Sequence, residues 1–410
     1  MSEAPKTGTE PVHVTALDGV RGFAILAIAV LHLSFISRWV PGAELPRSLL
    51  NTVYFALDFL FFVSGFVIFL PVVVKGTLGD VRAFFLRRYA RIAPAFYVSL
   101  IVLLVFWPLF VGSQGENFPP RDAGTLLGHL FFVHMEIALP YHDFVPGFEI
   151  NGPLWTLSID IVFYLLLPLV ALRYLRHPLI GLALAIAITL GWRIALDPGH
   201  DFLAHAIHPS DRYLAWHQAP LFVADFAFGM TGAWAWAALA RRPDRRRVQQ
   251  LALPVYALSF LGLIALLWAV GADLTSSREP FVIGGARFQQ SLAATVAVPA
   301  LFSVFAVSAA LAPAWAQWPL TNPVSRWLGD VSYSVYLYHS LVFEFLVLNF
   351  GFPRGDFEDF LLMGAVGLPL TLLVGWASYA LVERPGRRWA RRFARRWTRA
   401  APSPAAAAAP

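Results

Sequence analysis

Arg21 and His32 stand eleven residues apart, which on a helix is about 1100° of rotation and returns both side chains to within about 20° of one face. Their axial separation is about 16 Å. An arginine can grip a phosphate through its fork of donors, and a histidine can exchange a proton near neutral pH. The bland alternative has Arg21 anchoring its helix by snorkelling and His32 bonded to a neighbouring helix. Arg88 and Arg91 stand three apart in what reads as a loop before an apolar run, with Pro94 suited to the first turn of that run; they share one face if the segment is helical and then suit a polyphosphate. Topology charge is the other reading, and the one favoured for Arg87. Asp58 and Asp160 supply carboxylates. An acid beside a histidine fixes its tautomer and stabilises its charged form, as in catalytic triads, whereas pairing with Arg193 or capping by serine would be structural. Asp225 and Glu344 have weaker context and read as structural or cavity-lining. His200, His205, His208 and His217 are spaced five, three and nine apart, which is no metal-ligand pattern, so no metal is expected.

The elements that must position these residues follow from composition. Of 410 residues, 58% are hydrophobic and 14% charged, against roughly 45–50% and about 25% in soluble chains. A water-facing surface could not be covered, which leaves a polytopic membrane protein. Apolar runs fall at about 20–36, 53–74, 93–111, 154–172, 179–195, 220–240, 251–271, 292–312, 331–350 and 360–382, each long enough to cross hydrocarbon. In lipid the backbone must satisfy itself, and these runs do not alternate as barrel strands do. The fold expected is an all-α helical bundle of about ten transmembrane helices. His32, Asp58, Asp160, Asp225, His339 and Glu344 then lie inside spans, where an ionised group costs roughly 2.5–3.5 kcal/mol at the centre and needs a reason. The absence of cysteine removes thiol nucleophiles, acyl-cysteine intermediates, disulfides and thiolate metal sites together.

Most of the 31 Lys and Arg gather in alternate loops, which by the positive-inside rule places both termini in the cytoplasm. The stretch 125–139, interrupted by His129, His134 and Glu136, reads as external or re-entrant; as a full span it would invert every later loop. The expected organisation is a polar N-terminal tail without a signal-peptide core over 1–15, a membrane domain over 16–385, and a basic, then Ala/Pro-rich disordered tail over 386–410. The arginine-rich part of that tail suits anionic lipid better than nucleic acid. Nothing in the pattern speaks to oligomeric state.

Six segments occur in order: Leu17 to Ala24 leading to His32; Phe61 to Phe66; Arg87 to Pro94; Gly152 to Ser158; Leu328 to His339; and Glu383-Arg384-Pro385. Together they resemble the motifs of the type 3 membrane acyltransferases, which include bacterial O-antigen and exopolysaccharide O-acetylases, over some nine-tenths of the chain. The resemblance implies a bacterial cytoplasmic (inner) membrane enzyme that transfers an acyl group, usually acetyl, from cytoplasmic acyl-coenzyme A to a hydroxyl. The acceptor would be a carbohydrate, a glycolipid or a small molecule. Carried over by position, the family's first-span arginine and histidine fall on Arg21 and His32, and its paired arginines on Arg88 and Arg91. The family usually has glutamate where this chain has Asp160. Some relatives carry a serine-hydrolase-like domain after the last span; none is expected here, which would leave all the chemistry to the bundle or a partner.

Joined to the residue reading, the resemblance implies that Arg21, Arg88 and Arg91 hold the coenzyme A phosphates, with the thioester near His32. His32 would serve as general base or transient acyl carrier. Asp58 or Asp160 would orient it, and Trp155, Tyr164 and His339 would line the acceptor site. A proton-coupled transporter or flippase of a lipid-linked sugar uses similar intramembrane groups, although no repeat relates the two halves of this chain. A scaffold that recruits a separate transferase is a third reading.

Overall fold

The computed structural model describes residues 13–39, 49–50, 52–106, 123–138, 151–196, 214–276 and 292–400 of the chain. Ten helical segments among them are long and apolar enough to cross a membrane, and the described residues contain no strand. In chain order, α1 is Ala16–Ile36, α2 Ala56–Lys75, α3 Val81–Ile101, α4 Ala123–Leu130, α5 His134–Ala138, α6 Trp155–Arg176 and α7 Pro178–Leu196. There follow α8 Ala219–Ala240, α9 Arg245–Ser276, α10 Leu292–Leu311, α11 Ala314–Thr321, α12 Pro323–Phe350, α13 Phe357–Ser378 and α14 Arg384–Ala400. Each expected span falls on one long helix, residues 107–111 of the third lying outside the described residues. Of the stretch 125–139, the described residues form only α4 and α5, whose eight and five residues reach about 12 and 8 Å at 1.5 Å per residue.

Two boundaries differ from expectation. Pro94, expected in the first turn of its span, lies inside α3. That helix begins at Val81, where Asp80 caps it by accepting from the backbone N–H of Arg82 at 2.8 Å and of Ala83 at 3.1 Å. Ala83, Phe84 and Ala90 are buried, so the packed face extends back beyond the continuous apolar run, and Arg87, Arg88 and Arg91 ride on a helix instead of in a loop. The second is in the arginine-rich segment expected to follow the membrane domain as a lipid-facing tail. From Arg384 to Ala400 it is the helix α14, which packs on α3 with Ala390 and Ala394 buried. Residues 401–410, like 1–12, lie outside the described residues.

Helices in lipid gain little from apolar contact alone and associate where small residues let backbones close in. A methyl group at Gly329 of α12 would overlap the Asp18 carbonyl of α1, and one at Gly65 of α2 would overlap the Phe226 carbonyl of α8. These two contacts join the most extensively packed helix pairs of the bundle. Arg21 meets Gly329 and Ser332, while His32 meets His339, so α1 and α12 run parallel. Phe61 beside Phe222, and Arg241 reaching the Val73 carbonyl, give the same direction to α2 and α8. Spans one and nine, and spans two and six, are thus parallel, which strict alternation requires if 125–139 does not cross.

Replacing Gly329 with alanine should therefore cost about 1–3 kcal/mol through overpacking, read as a lower melting temperature in detergent. Gly191→Ala, where the new methyl meets nothing within 4 Å, should not lower it. Equal losses in the two variants would rule out close approach as the cause.

Candidate active site

A cleft of about 650 Å³, counting its open mouth, lies between α1, α2, α3, α6 and α12, and among the residues lining it are Arg21, Ser64, Arg91, Asp160, Tyr164 and Tyr336. Four residues singled out in the sequence therefore meet here: Arg21, Arg91, Asp160 and Tyr164. Arg21 is held by α12, its Nε donating to Ser332 Oγ at 2.9 Å and a terminal nitrogen to the Gly329 carbonyl. The three-residue spacing of Gly329 and Ser332 puts both on one helical face, and Ser332 Oγ also donates to the Gly329 carbonyl at 2.8 Å. Asp160 accepts from Ser64 Oγ at 3.2 Å and interacts electrostatically with Arg91 and Arg88. Arg88 stands beside the cleft, its guanidinium 5.8 Å from the ring centres of both Phe84 and Tyr164, a cation–π position.

Tyr336 connects the cleft to a pair of histidines. Its hydroxyl donates to the Pro153 carbonyl and lies 2.7 Å from Thr156 Oγ1. Its own carbonyl lies 2.8 Å from His339 Nδ1. His339 Nε2 is 3.1 Å from His32 Nδ1, and His32 Nδ1 is 3.0 Å from the Ile28 carbonyl. Carbonyl oxygens only accept, so both Nδ1 atoms carry hydrogen. In the neutral pair the one His32 Nδ1–H is then shared between the Ile28 carbonyl and His339 Nε2, and His32 Nε2 keeps a lone pair. His339 is 1% exposed, and His32 is partly open.

Other expected placements differ. Neither Asp58 nor Asp160 hydrogen-bonds to His32; His339 stands in the position assigned to an acid. Asp58 interacts electrostatically with Arg193 and Asp225 instead. Trp155, Tyr164 and His339 do not form one acceptor pocket. Trp155 is 8% exposed, edge-on to His217 at 4.5 Å, while Tyr164 faces the arginines. Nine residues of helix separate Trp155 from Tyr164, about 180° of rotation, so the two cannot share a face of α6. Ser158, also turned away from the cleft, donates to Glu136 and ties α5 to α6. Of the loop histidines only His217 lies among the described residues.

Residues 14–380 match the sequence profile of an acyltransferase domain. The chain belongs to the acyltransferase 3 family. Its relatives include the peptidoglycan O-acetyltransferase OatA of Listeria monocytogenes, 26% identical over 80% of this chain and 49% of the relative. The putative peptidoglycan O-acetyltransferase YrhL of Bacillus subtilis is 27% identical over 91% and 55%. The O-acetyltransferase OatA of Staphylococcus aureus is 24% identical over 92% and 58%. The chain spans about half the length of these relatives. No solved structure matches it.

This acyltransferase 3 chain holds a buried carboxylate beside the arginines that residue types alone did not single out. Glu383, 1% exposed, accepts from Ser334 Oγ at 3.1 Å and pairs with Arg387 at 3.2 Å. It also interacts with Arg91 and Arg21. The signal was its place in Glu383-Arg384-Pro385, without any indication of its partners. At the start of α1, His13 Nε2 lies 2.9 Å from Asp18 Oδ2, and that hydrogen bond raises the imidazole above its ordinary value against the opposing pull of partial burial. A raised histidine stabilises the fold in its charged form: fully below the ordinary value of about 6.5, and no longer once pH has climbed past the raised one. Melting temperature in detergent should therefore carry a component that falls with pH across that window and is missing in Asp18→Asn. An identical slope in the variant would show that the pair contributes nothing.

Proposed function

We propose that the chain is an integral membrane O-acyltransferase that moves an acyl group, acetyl in first place, from cytoplasmic acyl-coenzyme A to a hydroxyl of a carbohydrate or glycoconjugate. The observation that carries this reading is the sequence of groups along the α1–α12 seam: arginines in an open cleft, then Tyr336, then a histidine whose Nε2 has a free lone pair. Arg91 makes no hydrogen bond among the described residues, and Arg21 has one terminal nitrogen left over, so both can grip phosphate. Arg88 supports Tyr164 and should matter less. The acceptor hydroxyl gives its proton to His32 Nε2 as its oxygen attacks the thioester carbonyl. When the carbon–sulfur bond breaks, the same nitrogen returns the proton to the coenzyme A thiolate. The names of the relatives favour a cell-wall glycan acceptor.

The basic helix ends support the orientation. Lys75, the start of α3, Arg173 and Arg176, Arg241, Arg245 and Arg326, and α14 all fall at one face of the bundle, which the charge rule makes cytoplasmic. The cleft's arginines are near that face, where acyl-coenzyme A is found. The chain has no cysteine, so single-cysteine variants can be read directly. In intact cells an impermeant maleimide should label Arg38→Cys and spare Asp244→Cys until the membrane is opened; the opposite pattern would reverse the orientation.

Activity is tested with purified protein in liposomes, radiolabelled acetyl-coenzyme A and candidate glycan acceptors. His32→Ala should lower kcat by about 100-fold or more. Arg91→Ala should mainly raise the donor KM, and Arg88→Ala should do so less. Wild type that never consumes the thioester but carries a lipid-linked sugar across the bilayer would make the chain a transporter.

A further inference from the structure

His339 does more than line a site, and what it does rests on the reading of His32 as the base. We infer that His339 is a positioning residue: its unprotonated Nε2 holds the Nδ1–H of His32, aims the His32 Nε2 lone pair at the acceptor hydroxyl, and stabilises the imidazolium that forms there. In hydrolytic triads a carboxylate does this work. Among the described residues no carboxylate hydrogen-bonds to His32; its Nδ1–H lies 3.0 Å from the Ile28 carbonyl of its own helix, and the neutral imidazole of His339, at 3.1 Å, is the acceptor across the seam.

The chain of hydrogen bonds has a direction. His339 Nδ1–H points at the Tyr336 carbonyl, which accepts a hydrogen bond but does not carry a proton onward. A proton arriving on His32 Nε2 can be shared across the two rings yet has no exit at the far end. It leaves only through His32 Nε2, where the coenzyme A thiolate needs it. The arrangement makes one nitrogen serve as base and then acid, and the balance closes: the oxygen–carbon bond forms, the carbon–sulfur bond breaks, and the hydroxyl proton ends on sulfur. Apolar rings enclose the pair, with Phe343 edge-on to His339 at 6.4 Å and Phe35 edge-on to His32 at 5.9 Å. A neutral acceptor avoids burying an extra formal charge among them.

A structural role for His339 would be served by any side chain of similar size, and a positioning role only by one that presents an acceptor to His32. His339→Leu keeps the bulk and loses the acceptor; His339→Gln can place its amide oxygen near the position of Nε2. In the liposome assay His339→Leu should lower kcat about 100-fold with donor KM within about twofold of wild type, and His339→Gln should recover at least about tenfold of that loss. The second readout is independent of activity. In protein labelled with ¹⁵N-histidine, the Nδ1–H resonance identified by its loss in His32→Gln should shift in His339→Leu and return towards its original position in His339→Gln. If His339→Leu proves unfolded, His339→Asn, too short to reach His32, replaces it.

Leucine and glutamine variants that turn over alike with comparable melting temperatures would overturn the inference, as would an unmoved His32 resonance. Should His32→Ala itself retain wild-type kcat, the base assignment fails, and the resonance alone then decides whether His339 holds His32.

Discussion

Everything in the cleft depends on how closely α1 and α12 approach. Gly329 lets the two backbones touch at Asp18, and the contact fixes their register. Nearly four turns further along α1 and nearly three along α12, the same register brings His32 against His339. The two polar contacts are separated by eleven residues on α1 and by seven to ten on α12, so parallel helices of equal rise can satisfy both at once. Residues more than three hundred positions apart in sequence become neighbours where Gly22 of α1 and Gly329 of α12 leave no room for a side chain.

Much of the architecture was legible because lipid permits few solutions. Ten apolar runs became ten helices, and the interrupted stretch 125–139 became two short ones. The end of a continuous apolar run is a poor marker of where a helix begins. The N-terminal half of α3 is amphipathic, packs through Ala83, Phe84 and Ala90 and is capped by Asp80, so its arginines ride on a helix although no apolar run covers them. The alternation of α14, with Ala390 and Ala394 inward and arginines outward, is likewise a helical signal that composition alone hides.

The site divides in the same way. The Arg21–His32 stripe could be read from spacing, because a single helix fixes it, and the same arithmetic separates Trp155 from Tyr164 once applied. What spacing within one helix cannot supply is the partner across a seam. Glu383 beside Arg21 and Arg91, and His339 in the place expected for an aspartate, are properties of the packing. A buried arginine cluster needs a counter-charge nearby, which makes a carboxylate somewhere predictable without saying which one.

Tyr336 belongs to both halves of the site by different atoms. The carbonyl that holds His339 is part of the helix backbone, whereas the hydroxyl that meets Pro153 and Thr156 lies at the end of the side chain. The ring between them is 5% exposed, and its centre lies 5.6 Å from that of His339. The wall of the cleft and the imidazole pair thus share one buried side chain, and whatever displaces it is felt on both sides.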